Sequence, residues 1–130
     1  MAYTILIADD SEVIRGSLER TIGMTRLPVK HIISVEDGAQ ALKVLQEQWV
    51  DILFTDIHMP NMNGVELITR MHESSDLAQI PAAVISSEAS QKRIDQLTAL
   101  GVCGYIKKPF TPEKIRALIL TTLGGWDEAE

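Results

Sequence analysis

The sequence predicts an α/β sandwich built around a parallel sheet, and three observations lead there. Five short apolar runs alternate with five amphipathic stretches along 130 residues. Each amphipathic stretch can serve as the crossover that two parallel strands require. The runs Ile5-Leu6-Ile7, Ile52-Leu53-Phe54 and Ala83-Val84-Ile85 are continuous rather than alternating, as expected of strands covered on both faces.

The first strand is expected at Thr4 to Ala8, followed by a helix in which Val13, Ile14, Leu18 and Ile22 share a face. A second strand is expected from Lys30 to Val35, and a helix from about Gly38 to Gln48. The third pair is a strand at Asp51 to Thr55 and a helix at Gly64 to Glu73. The fourth is a strand at Ala82 to Ser86 and a helix from about Ser90 to Leu100, with Gly101 as its stop. The fifth strand is expected at Cys103 to Lys107. Thr111-Pro112 then reads as an N-cap followed by proline at the first helical position, and Ile115, Leu118, Ile119 and Leu123 line one face of the last helix. Right-handed crossovers place helices on both faces of the sheet. Residues 125–130 read as a short polar tail.

One domain of this length buries a core without staples. Asp and Glu number 18 against 12 Lys and Arg, a net charge of −6, which argues against nucleic acid or anionic lipid as the main partner. The single cysteine, Cys103, excludes an internal disulfide and is expected to be a small buried residue. With His31, His58 and His72 scattered, a zinc cluster has little support. No apolar stretch approaches the roughly 20 residues of a membrane span. No basic segment precedes the short apolar run at the N-terminus, so a signal peptide does not fit and a cytoplasmic location is expected.

Ligands of open parallel sheets bind beyond the carboxyl ends of the strands. Those ends carry Asp9-Asp10, Asp56, Ser86-Ser87 and Lys107-Lys108-Pro109. Taken singly, each has an ordinary explanation; an Asp pair before a helix is a usual cap. Joint placement at four strand ends makes an oxygen-rich site with a balancing ammonium. Three crowded carboxylates repel one another, and a divalent cation relieves that repulsion. Mg²⁺ fits this donor set best. A carboxylate there can act as a nucleophile toward phosphorus, though spacing does not say which Asp does so.

With these residues in place, the sequence resembles the receiver domain of two-component response regulators. The matching segments are Ala8-Asp9-Asp10-Ser11, Asp56-Ile57-His58-Met59-Pro60 and Gly104-Tyr105-Ile106-Lys107-Lys108-Pro109-Phe110, in the right order. Asp56 and Ser86 lie 30 positions apart, and Ser86 and Lys108 lie 22 apart. The resemblance covers essentially Thr4 to Leu123, so residues 1–124 are taken as the receiver. It implies a flavodoxin-like, doubly wound five-stranded sheet of order 2-1-3-4-5 with five helices.

It further implies that Asp56 accepts a phosphoryl group from a sensor histidine kinase or a histidine phosphotransfer domain. Asp10, Asp56 and the backbone carbonyl of His58 would bind Mg²⁺, with Asp9 acting through water or as a further ligand. Lys108 would pair with the phosphoryl group, Ser86 would move toward it, and Tyr105 would change rotamer. The His58 imidazole, two residues after Asp56, is expected to tune dephosphorylation. Ile14, Ser17, Pro109 and Phe110 would meet the phosphodonor. Lys92, Tyr105, Lys107 and Arg116 would meet a downstream target protein.

Because the receiver uses nearly all of the chain, a stand-alone, monomeric regulator is expected, similar to chemotaxis-type regulators or phosphorelay intermediates. Two other readings compete. A phosphorylation-independent binding module would not need Asp9, Asp10, Asp56, Ser86 and Lys108 together. A small Mg²⁺-dependent phosphatase with an Asp nucleophile would carry Asp-x-Asp after its first strand, and a flavin protein would carry a Ser/Thr-rich loop there. Adjacent carboxylates stand at that place instead.

Overall fold

The apolar runs pair side by side as parallel strands. In the computed structural model, which describes residues 2–124, β1 (Tyr3–Ala8) lies between β2 (Val29–Val35) and β3 (Ile52–Thr55). Beyond β3 come β4 (Ala82–Ser86) and then β5 (Gly104–Lys107), so the order is 2-1-3-4-5 with every pair parallel. Five helices make the crossovers: α1 (Glu12–Met24), α2 (Gly38–Glu47), α3 (Gly64–Glu73), α4 (Gln91–Ala99) and α5 (Pro112–Leu123). The polar tail expected at 125–130 lies outside the described residues.

Side chains alternate across each strand, and this divides the core in two. Leu6, Leu53 and Val84 pack with Leu45, Leu67 and Leu97 from α2, α3 and α4. Ile5, Ile7, Phe54 and Ile85 pack with Leu18, Ile22, Ile115 and Ile119 from α1 and α5. Full burial of each such side chain is worth about 1.5–3 kcal/mol, which is why the sheet is pinned from both faces.

Burial on both faces holds for β1, β3 and β4, whose residues are all buried. The edge strands depart from it: Lys30 and His31 on β2 and Lys107 on β5 are exposed. Val13 is not on the core face of α1, being 77% exposed. Ile14, Leu18 and Ile22 repeat at four-residue steps, and Val13 sits about 140° around the helix from Leu18 at the centre of that stripe. Cys103 is exposed and not buried. It lies in the turn ahead of β5, where its N–H donates to Ala82 O at 2.9 Å and the edge of the sheet leaves its side chain uncovered. Nearby atoms still desolvate the sulfur enough to push its thiol pKa up.

Caps mark the helix ends as the sequence suggests. Thr111 Oγ1 accepts from Lys114 N at 3.2 Å with Pro112 in the first turn of α5. Ser90 and Leu100 prove to be the caps of α4, and Gly101 beyond it takes φ +88°.

Asp37 caps α2 and also ties it to the β3–α3 connection. Its Oδ1 accepts from Gln40 N at 2.8 Å and its Oδ2 from Asn61 Nδ2 at 2.8 Å. These bonds, the Gln40 N–H foremost, hold its carboxyl below the ordinary value of 3.8. A lowered carboxyl stabilises the fold above its unfolded pKa, and that contribution disappears as the pH falls through the folded value. Asp37→Ala is expected to cost about 1–2 kcal/mol at neutral pH. Urea titrations should find the gap from wild type narrowing below about pH 4, as the remaining carboxyl loses its charge in both states.

Candidate functional site

The parallel sheet sends every strand's carboxyl end to one edge, and the residues that follow β1, β3, β4 and β5 meet there. Carboxylate oxygens of Asp9, Asp10 and Asp56 all lie within 4.8 Å of one another. Lys108 comes in from beyond β5, its Nζ 3.1 Å from Asp9 Oδ2 and 3.0 Å from Asp56 Oδ2. The Lys108-Pro109 peptide that follows is cis.

Each carboxylate is held differently. Asp9 is 4% exposed, and its Oδ1 accepts from Ser11 N at 2.9 Å. Burial raises its pKa above 3.8, outweighing the Ser11 N–H and the Lys108 ammonium. Arg15 reaches the carbonyl of Asp9 at 2.7 Å, anchoring α1 to the end of β1. Asp56 Oδ1 accepts from Ile57 N at 2.7 Å, which leaves Oδ2 toward Lys108. Asp10 is exposed and forms the open rim of the cluster. For Lys108, desolvation pulls the pKa down, but Asp56 and Asp9 more than compensate and its pKa is raised.

The donor set suits a hard divalent cation. It consists of carboxylate oxygens, partly open to solvent at Asp10, with no sulfur or imidazole nitrogen among them. One ammonium shared by two carboxylates leaves the three acids undercompensated, so a further cation has electrostatic reason to enter.

Ser86 is fully buried at the end of β4, where its Oγ accepts from Glu88 N at 3.1 Å and its carbonyl accepts from Lys108 N at 2.9 Å. The Tyr105 hydroxyl donates to the carbonyl of Glu88, joining β5 to the β4–α4 connection. Burial, followed by the Glu88 charge, pushes the phenol pKa up. His58 is exposed, and its ring partner is Glu88 Oε1 at 2.9 Å rather than a group of the carboxylate cluster.

Glu88 is the residue that the sequence reading missed. Besides His58, its carboxylate accepts from Arg93 Nε and Ser90 Oγ, each at 3.2 Å, and its backbone engages Ser86 and Tyr105. The His58 and Arg93 contacts hold its carboxyl below the ordinary value, the His58 bond contributing most. Its place two residues past β4, at the ligand-binding edge, was the available signal.

Ile14, Ser17, Pro109 and Phe110 do come together, lining with Lys108 a cavity of about 330 Å³ beside the cluster. The cations expected to meet a downstream target do not all stand free. Lys92 and Lys107 are exposed, but Arg116 Nη1 donates to Thr25 O at 2.8 Å and so belongs to the α1–α5 contact.

Known proteins resemble this chain in sequence and in fold. The chain is 31% identical over 124 residues to the chemotaxis protein CheY1 of Helicobacter pylori, covering 95% of this chain and 98% of that one. It is 32% identical over 118 residues to CheY of Pseudomonas aeruginosa, covering 88% and 91%. Among solved structures, CheY4 of Vibrio cholerae superposes with a TM-score of 0.83 at 25% identity, over 94% of this chain and 99% of that one. A sensor histidine kinase receiver domain from Pseudomonas aeruginosa, solved with a magnesium ion coordinated in its active site cleft, gives 0.83 at 19% identity over 96% and 100%. Residues 5–120 match the response regulator receiver domain family, and with the five-stranded order and the acidic edge already in place, the chain belongs to that family.

Proposed function

We propose that the protein is a phosphorylation-switched regulator in which Asp56 accepts a phosphoryl group from a phosphohistidine of a sensor histidine kinase or a histidine phosphotransfer domain. The observation that carries this reading is Lys108 bridging Asp9 and Asp56 inside a cluster of three carboxylates. An Asp56 oxygen attacks phosphorus, the bond from phosphorus to the imidazole nitrogen breaks, and its electron pair stays on the imidazole. Asp10, Asp56 and the His58 carbonyl would hold Mg²⁺, with Asp9 as a further or water-mediated ligand. When bound, that ion offsets charge on the phosphoryl oxygens. Lys108 pairs with a second oxygen.

Phosphorylation adds about −1.5 to −2 charges and three acceptor oxygens. Ser86 Oγ then has a stronger partner than the Glu88 N–H that it accepts from now. If Ser86 turns away from Glu88, the connection that holds the Tyr105 hydroxyl is released with it. The α4–β5–α5 surface, with Lys92, Tyr105 and Lys107, then presents an altered face to a downstream partner protein. A cytoplasmic setting goes with such a partner and donor, and no helix among the described residues is long and apolar enough to cross a membrane.

Incubation with acetyl phosphate and Mg²⁺ followed by intact mass tests the reading. A gain of about 80 Da, one HPO₃ unit, is expected. No gain would favour a phosphorylation-independent binding module.

His58 bridges the β3–α3 and β4–α4 connections on either side of Asp56 through its bond to Glu88. Removing the ring deletes that link between the two connections. His58→Ala is expected to shorten the phospho-Asp lifetime by about fivefold, the equivalent of one ordinary hydrogen bond. An unchanged lifetime, followed by decay of the 80 Da adduct, would rule out rate tuning by this residue.

A further inference from the structure

A groove lies at the opposite end of the sheet from the carboxylates, and nothing in the proposed switch uses it. It runs between the end of α2 and the α3–β4 connection, with a volume of about 480 Å³. Its apolar lining is Trp49 with Leu45, Leu77 and Ile80, the last three buried in the core and showing only their edges to the groove. At its mouth stands Trp49, 70% exposed, the largest apolar side chain left uncovered among the described residues. What sets it apart from a scattered surface residue is that it stands on the wall of a groove.

The indole is not loose. Its Nε1 donates to Asp51 Oδ1 at 2.7 Å, while Asp51 Oδ2 accepts from Thr4 N at 2.7 Å, so a carboxylate ties the ring to β1. A preorganised aromatic anchor is the feature that carries binding energy in protein interfaces, because little rotamer entropy remains to be lost.

Charge around the groove selects the occupant. Glu47 and Asp76 line it, and Glu73 lines the adjoining groove that shares Gln46, Ser74 and Leu77 with it. Arg70 is the one cation lining either groove, and it is already paired with Glu66 at 3.3 Å. Such a rim repels anionic lipid and nucleic acid. It also repels a second copy docked through the same face, since a two-fold contact sets these acids against one another. The chain's own last residues include Asp127, Glu128 and Glu130, which would meet the same repulsion.

We propose that this groove docks an amphipathic helical segment of a partner protein, one with apolar residues on one face flanked by Lys or Arg. The apolar face covers Trp49 and the groove floor, and the cations meet Glu47, Asp76 and the indole face. Trp49 precedes β3 and Asp56 follows it, so the two lie about 13 Å or more apart along the strand. Docking here therefore tethers the regulator without covering the carboxylate cluster.

The probes are two synthetic amphipathic helical peptides with Leu on one face, one carrying Lys on the other face and its counterpart carrying Glu. In a Trp126→Phe background, the Lys peptide should shift Trp49 emission to the blue. Its amide shift changes should concentrate at residues 42–49 and 73–80. Trp49→Ala, and separately Glu47→Lys with Asp76→Lys, should each weaken binding about tenfold, while phosphorylation by acetyl phosphate continues as in wild type. Equal binding of the Glu peptide, shifts centred on another face, or undiminished binding by these variants would overturn the proposal. So would a concentration-dependent dimer that Trp49→Ala abolishes, because the occupant would then be a second copy.

Discussion

Asp56→Asn is expected to take up no phosphoryl group from acetyl phosphate under conditions in which the wild-type chain gains its adduct. The amide is nearly isosteric, keeps an acceptor for Ile57 N and leaves the surrounding backbone in place. It lacks the negative charge that makes the oxygen a nucleophile and that holds Lys108 at 3.0 Å. Losing the nucleophile of such a site costs at least about 10³-fold in rate. Asp9 is a poor substitute, being 4% exposed, bonded to Ser11 N and raised in pKa by burial. Asp10 is accessible but has no contact with Lys108 to steady an incoming anion. Stability should change by no more than about 1 kcal/mol, since losing one partner of Lys108 is offset by relief of repulsion among the acids. Intact mass after incubation, with a thermal melt as the control for folding, gives the result. An adduct that persists and maps to Asp9 or Asp10 would move the acceptor to that residue.

How far such a site is legible from residues alone follows from what sets each position. Strand ends are read from apolar runs, and in a parallel sheet all carboxyl ends share an edge, so Asp9, Asp10, Asp56, Ser86 and Lys108 converge as the pattern implies. Glu88 could not be weighed the same way. Its importance lies in partners brought by four elements, with His58 30 positions away, and no periodicity encodes a loop-to-loop contact. Arg116 shows the same limit in reverse: position on α5 suggested an exposed cation, but which way its long side chain reaches is settled by the nearby Thr25 carbonyl. Val13 was misplaced by counting apolar residues on α1 without measuring the angle between them. Trp49 gave no warning either, because an aromatic residue ahead of a strand is ordinarily core.

Gly64→Ala is expected to be far more damaging than its position at a helix start suggests, and Gly64→Val more so. Gly64 opens α3 behind the Asn63 cap, and its N–H donates to Ile57 O at 2.8 Å. A Cβ at this position would lie 2.0 Å from Asp56 O and 3.0 Å from both Asp56 C and Ile57 Cα. All three are backbone atoms, so no rotamer change relieves the clash. Either α3 must lift, pulling Leu67, Ile68 and Met71 from the core, or the Asp56-Ile57 segment must shift at the site itself. The first route costs about 3 kcal/mol or more in stability. The second moves the Asp56 carboxylate by something near an ångström, which is enough to slow a positioned reaction about 100-fold. A melt and a phosphorylation time course on the same sample separate the routes. Gly23→Ala is the matched control: it sits in the last turn of α1 with no atom beyond its own stretch of helix within 4 Å of the added Cβ, and the helix preference of alanine should stabilise it by up to about 1 kcal/mol. If Gly64→Ala instead melts and reacts like wild type, the β3–α3 connection is soft enough to absorb a methyl group. Rigid support of Asp56 by that connection would then be the wrong account of how its carboxylate is aimed.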